Sequence, residues 1–365
     1  MSPSFRLWNA DHPPDYRAWE DAWNAWPQRE VFAHPAYLRL CARHQRSGGR
    51  QARAMAAAWI GESVRILYPF ILRDLRGEPF WNSEDEAATD IASPYGYGGP
   101  FAWPEGHAAT VAEEFWTCFD AWAAQHFVVS EFVRFSLFRD HLLPYPGQIR
   151  RRLMNVVRPL DLDEEALWMD FAPKTRKNIR TARRHGLRIE ADASGRRLDD
   201  FHRIYTHTLD RRCAPPDARF PRPYFDALHE HLAGRFMYFH ALYQNRIVST
   251  ELVLLSADTV YSFLGGTDEA SFPLRPNELL KFHIMTWARE AGKTQFVLGG
   301  GLAAEDSIFR YKKAFAPRGV VPFYTGCRVL NPQAYKQLVR SKKRFMHQSG
   351  HTWKPAADFF PEYRA

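Results

Sequence analysis

No run in this sequence approaches the roughly 18 apolar residues that a membrane-crossing helix needs. The opening stretch MSPSFRLWNADHPPDY sets acid and proline where a secretory leader needs an apolar core. A soluble, cytoplasmic protein is the expectation. Cysteine is scarce: Cys41, Cys118, Cys213 and Cys327 are far apart and form no C-x-x-C pair, which reads as buried thiols in a reducing compartment. Four nucleotide- and hydrolase-type signatures are missing, namely G-x-x-x-x-G-K-[ST], G-x-G-x-x-G opening a helix, H-E-x-x-H and G-x-S-x-G. P-loop phosphoryl transfer, Rossmann dinucleotide chemistry, zincin hydrolysis and the α/β-hydrolase elbow are disfavoured accordingly. His202 with His207, and His229 with His231, are not spaced to put two rings on one helix face, so no metal site is expected.

What is present is a chain of 365 residues, 45% hydrophobic and 15% aromatic, longer than one hydrophobic core usually serves. Lys plus Arg number 49 against 41 Asp plus Glu, a formal charge of +8, which favours an anionic partner or surface.

One order of elements is written twice. In the second half, LDDFHRIYTHTLDRR and PRPYFDALHEHLAG have helical apolar spacing. RFMYFHALY and RIVSTELVLL then predict a hairpin around Gln244 and Asn245. TVYSFLGG is a third strand, NELLKFHIMTWAREAG a helix closed by Gly292, and TQFVLGGG a fourth strand. In the first half, residues 15–45 are helical, ARAMAAAWI and VRILYPFILRDL form a hairpin around Gly61, and DIASPYGYGGP brings another Gly-Gly pair. ATVAEEFWTCFDAWAAQ is then a helix and EFVRFSLF a strand. Corresponding features are offset by roughly 165 residues, the size of an ordinary domain. A hairpin followed by strand, helix and parallel strand predicts an α/β fold with mixed sheets flanked by helices.

Charge concentrates in FAPKTRKNIRTARRHGLR. Pro173 suits a first helical turn and Gly186 the position past the end, so residues 173–185 are expected to form a helix. Thr175, Ile179 and Ala182 share its narrow apolar face; Lys174, Arg176, Lys177, Arg180, Arg183 and Arg184 cover the rest. Like charges three and four residues apart repel by a few tenths of a kcal/mol per pair, and a phosphate-rich partner would relieve that. Arg340, Lys342, Lys343 and Arg344 form a second basic cluster, read as surface. In FVLGGGLAAEDSIFRYKKAF, a strand runs into Gly299, Gly300 and Gly301, a loop carries Asp306, and a helix brings back Tyr311, Lys312 and Lys313. Such glycines let backbone N–H groups approach a ligand, and a following lysine can neutralise an oxyanion or phosphate.

The basic helix K-x-x-R-x-x-I-R-x-A-x-x-x-G, the segment GGTDEASFPLRPNELL and the glycine-edged strand with its Tyr-Lys-x-x-Phe helix together resemble the Fem-like branch of the GNAT acyltransferase superfamily. The resemblance covers about residues 170–320 and is weaker over 1–160, with Ala314 and Ala316 standing where many relatives have glycine and no long helical arm between the units. It implies two tandem GNAT-like units, 1–165 and 166–320, with residues 321–365 returning to the first. It also implies amide formation from aminoacyl-tRNA onto an amine acceptor, without a cofactor and with possible peripheral contact with an anionic surface. Carried over, Tyr311 faces the nucleotide end of the donor, Lys312 lies beside the transferred carbonyl, and Lys174 to Arg184 meet RNA phosphates.

For the amine proton, Asp306 is the first carboxylate to consider and Asp90, before SPYGYGG, the second; both also suit a loop-capping role. Arg211, Arg212 and Tyr224 are candidates for the acceptor side. Two other readings share these residues. One is an acyl-CoA-dependent N-acyltransferase acting on an amino sugar, although no Q/R-x-x-G-x-G/A loop is evident. The other is a non-catalytic binder of RNA or anionic glycan.

Overall fold

The structure, a computed structural model, describes residues 4–47, 50–81, 89–104, 108–216 and 219–365. The chain divides into two compact units: residues 1–26, 32–152 and 323–365 form the first, and residues 27–31 and 153–322 the second.

The first unit begins with β1 (Ser4–Asn9), α1 (Pro13–Asn24) and α2 (Pro35–His44), whose first turn is capped by the His34 side chain accepting from the Ala36 N–H. The short strands β2 (Arg46–Ser47) and β3 (Arg50–Gln51) pair only with each other. Then come β4 (Arg53–Ile60), β5 (Arg65–Asp74), β6 (Thr89–Ala92), β7 (Phe101–Trp103), α3 (Ala112–Gln125) and β8 (Val128–Arg134). β1, β4, β5 and β6 run antiparallel in that order, and β8 joins β6 in parallel. Phe115, Trp116, Phe119 and Ala123 recur at helical spacing and bury one face of α3 against the aromatic side chains of β5.

The second unit takes in most of β9 (Gln148–Pro159), then α4 (Glu164–Asp170), α5 (Pro173–Arg184), β10 (Arg188–Asp192), α6 (Leu198–Arg211) and α7 (Arg222–His231). β11 (Phe236–Tyr243), β12 (Arg246–Leu255), β13 (Thr259–Thr267), α8 (Pro276–Glu290), β14 (Gln295–Gly300) and α9 (Ser307–Lys313) complete it. Its strand order is β10-β11-β12-β13-β14-β9, antiparallel except for the parallel β13–β14 pair. Gln244 and Asn245 turn the β11–β12 hairpin with positive φ at both residues, the geometry that matches the twist of the flanking strands. α5 buries Thr175, Ile179 and Ala182, and the isoleucine alone contributes roughly 1.5–3 kcal/mol of apolar burial.

The tail adds β15 (Val320–Val329), which pairs antiparallel with β8, and α10 (Pro332–Gln348). The two units therefore share one order of six strands. In each, the last strand comes from the segment that follows the other unit's parallel pair: β9 follows β8 but joins β14, and β15 follows β14 but joins β8. Tyr363 and Arg364 fasten the chain end within unit 1, where both bond to the Asp90 carboxylate. Among the cysteines, Cys41 and Cys327 are buried, Cys118 is half-buried and Cys213 is exposed, so burial of all four thiols does not hold. Cys213 lies just beyond the end of α6 with φ +49. No helix among the described residues is long and apolar enough to cross a membrane, and no cluster of His, Cys, Asp or Glu suits a metal.

Candidate active site

β13 and β14 pair over three residues, Thr259–Tyr261 against Gln295–Val297, and then part. β13 stays with β12 as far as Thr267, while β14 turns to β9, pairing Gly299 with Val156 and Gly300 with Asn155. The ladders slip at this level, leaving Phe263 extra on β13 and Leu298 extra on β14. Such bulges redirect strands. Here the separation opens a cavity of about 180 Å³ lined by β12, β13, α8 and Tyr311 of α9.

Two charged side chains are buried in its wall. Lys281, 7% exposed on the apolar face of α8, donates to the carboxylate of Glu251, 6% exposed in the middle of β12, and to Ser262 Oγ at 2.7 Å. Neither charge is tolerable there without the other. Ser249, Thr267 and Asn277 form a further hydrogen-bonded group in the lining. Gly266 is needed where β13 meets α6, because a Cβ there would stand 2.4 Å from Thr208 Oγ1 and 2.8 Å from the Ile204 carbonyl oxygen.

The Tyr311 hydroxyl is buried and has no hydrogen-bond partner among the described residues. Burial, reinforced by the carboxylates of Glu278 and Glu251, drives its pKa well above the ordinary phenol value, so it is a donor held in the neutral form. Lys312 Nζ donates to the Gly300 carbonyl at 2.6 Å. Burial and the like charge of Lys281 bring its pKa down to about 8. A Cβ at Gly300 would meet the Met154 carbonyl oxygen at 2.8 Å, so only glycine lets β14 lie this close to β9.

The other residues singled out from sequence fall into distinct places. Gly299 has φ +79, and Gly301 lies against the Asp306 carboxylate. Asp306 caps α9: its oxygens accept from the N–H groups of Phe309 (2.7 Å), Leu302 (2.7 Å) and Ala303 (3.1 Å), which holds its pKa below the usual range. Those bonds occupy both oxygens and withdraw it from proton acceptance. Asp90 belongs to unit 1, where Arg73 (2.8 and 3.0 Å), Arg364 (2.7 Å) and Tyr363 (3.1 Å) surround it. Burial pushes its pKa up, the two guanidiniums outweigh that, and the carboxylate stays ionised as a structural anchor.

The basic helix does not line the cavity. α5 packs on α8, with Asn178 bonded to Glu278 at 2.7 Å, and its start is tied to the end of α9 through Ala172 N–H and the Ala314 carbonyl (2.9 Å). Arg176 braces the Met169 and Phe171 carbonyls, while Arg180 and Arg183 lie over the rings of Trp168 and Phe282 at 5.3 and 5.1 Å. Lys174, Lys177 and Arg184 are exposed. Lys313 lies over Phe309. Arg211 donates to the carbonyl of Thr267, a lining residue, and covers Phe272. Arg212 follows the last residue of α6 in an exposed position, and Tyr224 is a core residue whose ring lies tilted against that of Phe220, centroids 4.3 Å apart. Glu251, Lys281, Ser262 and Asn277 were not anticipated. The signal for two of them is a lone carboxylate inside RIVSTELVLL and a lone lysine inside NELLKFHIM, because a charge in an apolar element needs a partner.

Residues 173–313 match the acetyltransferase (GNAT) domain family. A UDP-N-acetylmuramoylpentapeptide-lysine N(6)-alanyltransferase of Weissella viridescens is 24% identical over 199 residues, covering 53% of this chain. The chain spans 57% of the length of that relative. The crystal structure of FemX superposes with a TM-score of 0.63 at 13% identity, over 88% of this chain and 98% of that one. The C-terminal domain of a candidate lysylphosphatidylglycerol synthetase from Agrobacterium fabrum does so with a TM-score of 0.53 at 14% identity, over 86% and 92%. The resemblance to the Fem-like branch of the GNAT superfamily is borne out, as is the α/β fold with mixed sheets.

Proposed function

We propose that this Fem-like chain, whose second unit carries the GNAT acyltransferase domain, moves an aminoacyl group from aminoacyl-tRNA to an amine. The observation that carries the reading is the pairing, on one short helix, of a buried hydroxyl that bonds to no described residue with a lysine bonded to the last carbonyl of the glycine-edged strand. An activated ester needs little covalent help. The acceptor nitrogen attacks the ester carbonyl, the C–N bond forms as charge collects on the carbonyl oxygen, and the C–O bond to the ribose breaks. The proton lost by nitrogen ends on the departing hydroxyl. Tyr311 O–H and the Lys312 ammonium supply donor and charge for the oxyanion, while position supplies the rest. The exposure of Lys174, Lys177 and Arg184 on α5, a helix tied to the end of α9, supports a role for them in meeting the phosphates of the donor. A charged-tRNA donor sets the reaction in the cytoplasm and requires no further cofactor.

The test is transfer from charged tRNA to candidate amines, beginning with a lysine-bearing UDP-N-acetylmuramoyl pentapeptide, the acceptor in the name of the Weissella viridescens relative. Formation of an amide, read by mass, is expected. Absence of both product and tRNA binding at low salt would overturn the reading. A second reading, N-acylation from acyl-CoA, is favoured by the acetyltransferase character of the matched domain. Thermal stabilisation by CoA and not by aminoacyl-tRNA would select it.

A further inference from the structure

We infer that the outer face of α10, in the first unit, is a sequence-independent binding surface for the phosphate backbone of duplex RNA. The inference rests on the aminoacyl-transfer reading only in taking that duplex to be a stem of the charged donor; the binding itself is measured without any transfer.

The segment PQAYKQLVRSKKRFMHQ that forms α10 contains no carboxylate. Its apolar side is turned into its own unit, where Leu338 is fully buried in a cluster with Phe80 and Tyr363, and Tyr335, Val339 and Phe345 pack against that cluster. Lys342 belongs to the same side, its ammonium 5.2 Å from the centroid of the Phe80 ring. The basic cluster seen in the sequence is therefore regrouped: Lys336 joins Arg340, Lys343 and Arg344 at i, i+4, i+7 and i+8, one face of the helix, and Lys342 leaves it. All four are exposed, and none makes a hydrogen bond or an ion pair with a described residue. On α5, by contrast, Arg176, Arg180 and Arg183 are engaged by carbonyls and rings.

Like charges at these spacings repel one another, and a row of phosphates removes the repulsion while releasing counterions. Two features select duplex RNA. No aromatic side chain stands among the four cations, so an unpaired base has nothing to stack on and the contact is one of backbone and shape. No apolar side chain stands among them either. Stable lipid anchoring takes a second signal besides charge, and the apolar side of α10 is already covered.

A short RNA hairpin carrying no amino acid, titrated into the full chain between about 50 and 200 mM salt, tests this. Binding is expected, with affinity falling steeply as salt rises. Lys336→Gln, Arg340→Gln, Lys343→Gln and Arg344→Gln combined should lower the slope of log K against log salt by about 3, and weaken binding at about 50 mM at least tenfold, with thermal unfolding unchanged. In transfer to the lysine-bearing UDP-N-acetylmuramoyl pentapeptide, the variant should raise KM for charged tRNA at least tenfold and leave kcat unchanged. KM for an aminoacylated dinucleotide, which has no stem, should not move. An unchanged slope and affinity for the hairpin overturns the inference, as does an equal loss with the dinucleotide. Binding to vesicles containing phosphatidylglycerol through the same four residues, without binding of the hairpin, overturns it in favour of a lipid surface. Hairpin binding that depends on α10, in a chain that transfers nothing from charged tRNA, leaves the RNA surface standing and overturns the aminoacyl-transfer reading instead.

Discussion

Tyr311→Phe separates stability from activity, because the two are expected to move in opposite directions. The ring packs edge-on against Phe315, with centroids 5.3 Å apart, and phenylalanine keeps that contact. What is lost is a buried hydroxyl that bonds to no described residue. A buried donor without a partner costs about 1–3 kcal/mol. Tyr311 lines a cavity that water can enter, so its removal should stabilise the fold by the low end of that range, about 1 kcal/mol. Loss of a donor to a developing oxyanion typically lowers kcat by about 10²–10³-fold. Thermal unfolding and single-turnover transfer from charged tRNA read the two effects on one preparation. The expected variant melts no lower than the parent and is slower by at least tenfold. A loss of more than about 1 kcal/mol would mean that the hydroxyl is structurally satisfied, and an unchanged rate would remove it from the reaction.

Three further outcomes follow from buried charges. Lys312 is held near 8, below the ordinary lysine value, so a rate that needs its ammonium should fall as pH rises through about 8. Lys312→Arg, charged throughout, should keep part of the activity and lose that limb of the pH profile. Lys281→Met leaves Glu251 buried and unpaired, at a cost of about 3–5 kcal/mol, which a second change, Glu251→Leu, should largely recover in unfolding measurements without restoring transfer. Glu30, packed on Ser256 and Tyr261, has its carboxyl raised by burial to about 7. Because that exceeds its unfolded value, the stability it lends is complete below about pH 4.5 and drains away as pH climbs through 7. Glu30→Gln should flatten this decline, raising stability at pH 8 by on the order of 2–3 kcal/mol in urea titrations.

Local chemistry made much of the fold legible. Pro173 and Gly186 bracket α5, Gln244 and Asn245 turn the hairpin, and Gly292 follows α8, because caps and turns are decided by the residues that form them. β9 and β15 escaped notice for the opposite reason. Their partners lie more than a hundred residues away, and no local pattern says which sheet a strand will join. The site was half legible. The glycines, Tyr311 and Lys312 announced themselves as a motif, whereas Glu251 and Lys281 meet only after α8 folds over β12. Charge density along α5 was a poor guide to the cavity wall: three of its arginines are engaged by carbonyls and aromatic faces, and α8 supplies the lining instead. Asp306 carried a second legible role, since an Asp three residues before Phe309 is a helix cap, and the cap is what the structure shows.

A duplicated backbone plan did not duplicate the cavity, and the position of one irregularity explains why. In the first unit the ladder between β6 and β8 slips at Asp90, at the start of the parallel pair, and the strands then close again: Ile91 faces Glu131, Ala92 faces Phe132, and Gly98 still bridges to Phe135. Asp90, which faces the extra residue of β8, is fixed by Arg73 and Arg364. The strand beside it, β8, carries a buried carboxylate, Glu131, and both oxygens are taken, by Tyr68 and by Tyr145. In the second unit the slip comes after the paired residues, at Phe263 and Leu298, so nothing draws β13 and β14 back together. Among the described residues, nothing bonds the second oxygen of the carboxylate there, Glu251, or the hydroxyl of Tyr311. Two units of one strand order thus end in opposite states, one with these polar groups satisfied by its own side chains and one with a donor and an acceptor that no described residue meets.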